Sequence, residues 1–465
     1  MQIGGAYNQR ILDRIQWTPN WTFLGADGIA GTADDSAGQF VDPVDIGQNA
    51  RFNTPRDIQW VDLHKLWQLY QSNPNYFRLV EPAAFITSAT SSERMSEEIS
   101  AAYVQGEIKF LENRLAFVGG VRFERTKNHG LGLLRDRNAI YQHDARGNVV
   151  RNAAGNPVLI TTDPLEQAKL SYLMRGRSVS RSYDDYFPSV NGTYRVTGNL
   201  QLRGSYSQTL GRPEFSNIIP NLDLNENNVT GLGIVNARNP ALKPWSAKNY
   251  EVSLEYYFKA DGVVSVSVFR KDVTNAFRTS TSVLDAPMLA QLGLESTYLG
   301  WDLETTTNAD ETTRFNGLEL NYQQQLTFLP AWARGFSIFG NGTILKTKGS
   351  SRIGLQLQDK TFNWGVSYSR QRFKLGLKWN YIPEDINPLT SIGANGVTVN
   401  KARLNLDLDS EYRFTPRLGL FFNARNFLNA TSRTYRYTPL TPEYSRASSV
   451  SNGGVKMSAG IKATF

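Results

Sequence analysis

The chain has 465 residues, of which 40% are hydrophobic and 12% aromatic, and its mean hydropathy is -0.40. No run reaches the roughly 20 apolar residues that a membrane helix needs, so helical spans are excluded, whereas a transmembrane β-barrel, whose strands alternate apolar and polar residues, fits these values. The net charge of +8 is scattered rather than clustered, which argues against nucleic acid as a partner, and the absence of cysteine removes disulfides and thiol chemistry.

The first residues, MQIGGAYNQRILDR, contain no basic-then-apolar secretion leader. Residues 1–94 are polar and rich in Asp, Gly, Asn and Pro, and they read as one long extracellular loop region. Within it, the stretch from Asp27 to Asp35 is acidic and broken by glycine. Asp27, Asp34 and Asp35 offer oxygen ligands of the kind calcium takes, but their spacing is not that of an EF-hand, and a solvated acidic turn is the alternative. Further on, Asp62 can cap a short helix in which Leu63, Leu66, Trp67 and Tyr70 fall at helical spacing. That helix serves either as a lid over a lumen or as a strut packed on neighbouring loops.

From residue 95 to 465 one pattern repeats, and about thirteen strands can be read. Short turns are expected at Leu111–Arg114, Thr197–Asn199, Lys259–Gly262, Leu329–Gly335, Arg370–Arg372 and Thr415–Arg417. They alternate with long connections near 128–181, 213–245, 277–312, 349–361, 385–399 and 428–453. Bacterial outer-membrane barrels sort their connections this way, with short periplasmic turns and longer extracellular loops. Within the strands, Val264, Val266 and Val268 alternate with Ser265 and Ser267, and Leu404, Leu406 and Leu408 with Asn405 and Asp407. Period two places each set on its own face. A soluble two-sheet sandwich would alternate as well, with its apolar face as a core. The aromatics Tyr256, Tyr257, Phe258, Phe328, Trp332, Tyr412 and Phe414 stand beside the short turns, where an interfacial girdle belongs. The last strand alternates from Val455 to Phe465 and ends on an aromatic, like the terminal signal that barrel assembly machinery reads. If that strand descends to the periplasm, counting back makes the region before residue 95 extracellular.

Several segments resemble the TonB-dependent receptors. Asn239-Pro240-Ala241-Leu242-Lys243-Pro244, followed by Asn249-Tyr250-Glu251, looks like that family's NPxLKPxxxxNYE motif. Leu210-Gly211-Arg212-Pro213-Glu214-Phe215 resembles its arginine–proline segment, and Asn426-Phe427-Leu428-Asn429 its C-terminal motif. The stretch from Trp332 to Thr343 is similar to the branch common in Xanthomonas- and Caulobacter-like bacteria. The resemblance implies an all-β, transmembrane antiparallel barrel of about 22 strands closed by an N-terminal plug, sited in the bacterial outer membrane. It further implies nutrient import, of a carbohydrate or a siderophore, driven by a TonB-type energy-coupling complex. No plug, coupling box or leader is read in this chain, so it is expected to be a C-terminal piece that does not close by itself. A passive pore or a surface-binding barrel without energy coupling is the alternative, and neither an enzyme nor a cofactor is expected.

As candidate sites, Glu319, Asp407 and Arg425 read as ordinary lumen-lining charges, and Asn239, Pro240, Leu242, Lys243 and Pro244 as a rigid turn. Trp21, Trp60, Trp67, Tyr76, Trp245 and Trp301 either stack on sugar rings or anchor loops. No catalytic, metal-binding or substrate-binding residue is singled out.

Overall fold

The computed structural model describes residues 1–42, 60–226, 233–258, 261–349, 358–388 and 395–463. Fourteen strands form one antiparallel sheet in which each strand pairs with the next along the chain. They are β1 (Gln2–Arg14), β2 (Glu93–Phe110), β3 (Leu115–Arg135), β4 (Tyr172–Arg195), β5 (Leu200–Gly211), β6 (Trp245–Phe258) and β7 (Gly262–Thr274). The sheet continues with β8 (Thr313–Gln325), β9 (Phe336–Lys348), β10 (Lys360–Arg370), β11 (Phe373–Ile382), β12 (Arg403–Arg413), β13 (Leu418–Arg425) and β14 (Lys456–Ala463). Every other described element belongs to a connection between two of these strands.

One expectation requires correction: residues 1–94 are not a single loop region. Gln2–Arg14 pairs with β2 from Gln2↔Gln105 to Arg14↔Glu93, so the sheet begins at the second residue and the connection is 15–92. The strand is weakly marked because Gly5 and Gln9 interrupt its outward set of Ile3, Tyr7 and Ile11, all three of which are exposed. The connection expected at 128–181 also shrinks, to 136–171, because β3 and β4 run for 21 and 24 residues. A span tilted through lipid needs only about 9–11 residues. Beyond the lipid band no solvent difference imposes alternation, so strands continue there without a period-two signal.

The expected parity of connections holds. The turn at 111–114 carries three successive residues in left-handed conformation, Leu111, Glu112 and Asn113, with φ of 52°, 56° and 66°. Leu202, Leu254, Val266 and Leu320 are successive cross-strand partners, and all four are 39–47% exposed. Among the described residues no second sheet covers this apolar face, as the core of a soluble sandwich would require. One step along each strand runs a polar row on the opposite face: Gln201, Glu255, Ser265, Asn321, Asn341, Asn363, Asn380 and Asn405. Beside the short turns the aromatics pack in pairs, among them Tyr256 with Phe258 at 5.2 Å, Tyr412 with Phe414 at 5.3 Å and Phe336 with Tyr368 at 4.7 Å. Phe465 lies outside the described residues, as do Lys259 and Ala260; the strand before Phe465 pairs with β13.

The compact hydrophobic cores lie among the long connections and the strand ends next to them. One gathers Val235, Leu284, Leu289, Tyr298 and Trp301, and another Met95, Ile218, Ile219 and Leu242. Two four-stranded loop sheets and several short helices build this layer. The helix Leu63–Ser72 forms as expected, with the Asp62 carboxylate accepting from the His64 and Lys65 amides. Tyr70 packs it against Trp21 at 5.1 Å and Phe77 at 5.4 Å, which is the strut rather than the lid.

Candidate functional site

Two features on the inner face of the sheet stand out. The first is a charge network where β1–β5 meet the long connections. Glu93 and Glu97 lie on one face of β2, either side of Met95, and are 2% and 1% exposed. Arg14 donates to Glu93 Oε2 at 2.9 Å, and Arg238 pairs with Oε1 of the same carboxylate. Arg212 donates to Glu124 Oε2 at 2.6 Å and to Thr126 Oγ1 at 3.1 Å, and its Nε stands 3.9 Å from Glu97. Arg10 approaches Glu97 at 3.6 Å and lies over the Phe215 ring. Buried carboxylates are tolerated only with such partners. The network pins the segment after β5 and the segment before β6 onto the barrel wall.

The motif residues take part as scaffold. Arg181 Nη1 donates to the Leu242 carbonyl at 2.7 Å, Asn239 Nδ2 to the Thr306 carbonyl at 3.0 Å, and the Lys243 amide to Asn308 Oδ1 at 2.8 Å. Leu242 is buried beside Met95. The stretch from Asn239 to Pro244 is therefore the rigid turn expected. Arg425 pairs with Asp407 at 2.8 Å and Asp409 at 3.4 Å, and Asn426 ties the carbonyls of Ala430 and Gly454 together at 3.1 Å each.

The second feature is an amide ladder. Asn380 Nδ2 donates to Asn363 Oδ1 at 2.5 Å, and Asn363 Nδ2 to Asn341 Oδ1 at 3.0 Å. These asparagines, with Asn405, Asp407 and Arg425, line a cavity of about 660 Å³ on the inner wall. Glu319 is exposed on the same face of β8, in register with Ser267 and Thr343. The amide ladder itself offers uncharged donors and acceptors, which suit a hydroxyl-rich or amide-rich surface, between the charges of Lys378, Asp407, Arg425 and Lys456.

The acidic turn uses its carboxylates internally. Asp34 accepts from the Ala26 amide at 2.6 Å, the Asp27 amide at 3.1 Å and the Thr32 hydroxyl at 2.7 Å, and Asp35 accepts from the Gly31 amide at 2.5 Å. The Thr32 hydroxyl first, then the Asp27 amide, hold Asp34 below the usual carboxylate value. Among the described residues no three acidic or histidine side chains converge as a metal would require. Of the loop aromatics, Trp301 is buried against Tyr298 at 4.9 Å, Trp21 meets Tyr70, Trp245 packs over Gly211, and the Tyr76 carbonyl accepts from the Leu24 amide. Trp60 and Trp67 present exposed rings. Sequence reasoning missed Glu93, Glu97 and Glu124; for Glu93 and Glu97, two carboxylates on one face at the start of a strand were the available signal.

A family model described as TonB dependent receptor-like, β-barrel, matches residues 1–427. The chain belongs to that family. The solved structures agree with a TonB-dependent receptor barrel as the fold. The ferric-catecholate import receptor Fiu of E. coli is 13% identical with a TM-score of 0.51, covering 81% of this chain and 46% of its own. A mutant of the ferric enterobactin receptor PfeA of Pseudomonas aeruginosa, bound to enterobactin, is 14% identical with a TM-score of 0.51, covering 80% and 55%. The copper transporter OprC is 13% identical with a TM-score of 0.50, covering 81% and 49%. At such identities the likeness concerns the fold. The receptor chain described here spans about half the length of these structures. No curated protein matches it. Membership of the family establishes the transmembrane antiparallel β-barrel class.

Proposed function

We propose that this chain forms part of the barrel of an outer-membrane transporter that imports a specific nutrient by TonB-dependent energy coupling. The observation that carries the proposal is the family match together with an apolar outer face and a polar inner wall on one sheet. The asparagine ladder supports a polar, hydrogen-bonding cargo, which fits an oligosaccharide. The named neighbours, a ferric-catecholate receptor, a ferric enterobactin receptor and a copper transporter, support a siderophore or a metal as the other cargo. The barrel's polar network has the character of scaffold, and the protein is proposed to act by binding and passage rather than by catalysis. Its other partners are then outer-membrane lipid and the barrel assembly machinery.

The test is uptake of labelled oligosaccharide and ferric siderophore by cells that carry the receptor, with and without an active TonB system. Accumulation that collapses when TonB is deleted is the expected result. Uptake that persists undiminished would identify a passive pore, and surface binding without accumulation would identify a receptor lacking coupling.

A further inference from the structure

A second cavity, of about 520 Å³, lies between the outer ends of two strands and the long connections. Its walls come from the helix Glu81–Ser91, the outer ends of β3 and β4, and the loop strand Leu222–Glu226. Its size suits a small organic ligand, for which sites of roughly 300–1,000 Å³ are usual. Much of the lining is aliphatic, as at Leu133, Leu222 and Leu224, but two arginines, Arg135 and Arg177, face it as well.

Neither arginine side chain makes a hydrogen bond or ion pair among the described residues, and Arg135 Nε is shielded from solvent without an acceptor. A shielded cationic donor without an acceptor is unfavourable and is rarely left so. Arg135 lies over the Tyr172 ring at 5.3 Å and the Tyr298 ring at 5.8 Å. Those faces orient the guanidinium but accept none of its in-plane N–H groups. Arg177, opposite Gly132, shares its strand face with Arg181 and Tyr183, and a backbone irregularity lies directly beside it. Between the pairs Gly132↔Arg177 and Leu134↔Leu173, β4 carries more residues than β3, and Arg175 takes φ of 56°. Bulges of this kind re-aim side chains beside binding sites. Arg175 turns instead to Asp13 at 2.5 Å and Ser92 at 3.1 Å, so neighbouring arginines of one strand are divided between a structural ion pair and the cavity.

We propose that this cavity binds the carboxylate of a small amphiphilic anion. Arg135 and Arg177 take its oxygens, and the leucines cover its apolar body. Guanidinium forks match carboxylates, and an aliphatic wall of this extent would be wasted on a bare inorganic anion. The proposal does not rest on transport: the site would bind whether or not the barrel imports.

The test uses the protein as assembled in outer membranes, transferred to lipid nanodiscs, and titrated calorimetrically with a naphthoate and with the corresponding neutral naphthamide. The naphthoate is expected to bind at least about tenfold more tightly than the amide. Arg135→Met and Arg177→Met are each expected to weaken naphthoate binding by about tenfold or more, with circular dichroism unchanged. Arg177→Lys, which keeps the charge, is expected to retain part of the affinity. Absence of naphthoate binding, equal binding of the amide, or affinity untouched by both methionine variants would each overturn the proposal.

Discussion

At the scale of single residues, the inner network separates charges that are hydrogen-bonded from charges that are merely close. Arg212 bonds Glu124 directly, at 2.6 Å, whereas Glu97 is fully buried with its ion-pair partners at 3.6 and 3.9 Å. Removing Arg212 deprives Glu124 of a charge-assisted bond and leaves Glu97 with Arg10 alone, at 3.6 Å. Breaking one partner of a buried pair costs roughly 3–5 kcal/mol. Replacing Glu97 by its neutral isostere loses no short bond and lowers the burden of a buried charge, for a change below about 1 kcal/mol. Urea unfolding of the membrane-assembled receptor should therefore show a large loss for Arg212→Leu and almost none for Glu97→Gln. Equal losses would mean that Glu97 is bonded more tightly than its distances indicate.

At the scale of elements, each strand is a two-faced object whose faces meet different solvents. On β7, Val266 belongs to the outward row and Ser267 is its inward neighbour. A lysine on the lipid face near mid-membrane costs about 2–4 kcal/mol, while the wet face tolerates charge. Val266→Lys is thus expected to reduce assembly in the outer membrane and stability to urea, whereas Ser267→Lys leaves both near wild type. The reverse order would place the lumen on the valine side. The same two-solvent argument explains why alternation is clear in β7 and β12, and why it fades in β3 and β4 once these strands pass the lipid band.

At the scale of the whole molecule, β1 and β14 are the two edges of the sheet, and among the described residues neither pairs with a further strand. An unsatisfied backbone group in hydrocarbon costs several kcal/mol, so an open edge in lipid is unstable. These 465 residues, refolded alone into vesicles, are expected to give no compact, heat-modifiable band on a gel and no protease-resistant barrel. A fast-migrating, resistant species would show that the edges can meet.

Much of this architecture was legible in the order of residues alone. Period-two alternation, the parity of connections, the aromatic pairs beside the short turns and the Asp62 cap depend on contacts with solvent or with near neighbours, and such contacts leave a local trace. The resemblance of the segments around Arg212, Asn239 and Asn426 was visible for the same reason, and so was the reading of the Asn239–Pro244 stretch as a turn. Three things depended on the tertiary structure. The strand Gln2–Arg14 became visible only through its pairing with β2, because its own alternation is interrupted. The union of Glu93 with Arg14 and Arg238, and of Glu124 with Arg212, joins residues that lie far apart in the chain. The cavity of Arg135 and Arg177 exists because a bulge in one strand and two loop segments converge on it. Local chemistry writes a periodic signature into the sequence, whereas a site assembled from distant segments is decided by which strands the sheet sets side by side.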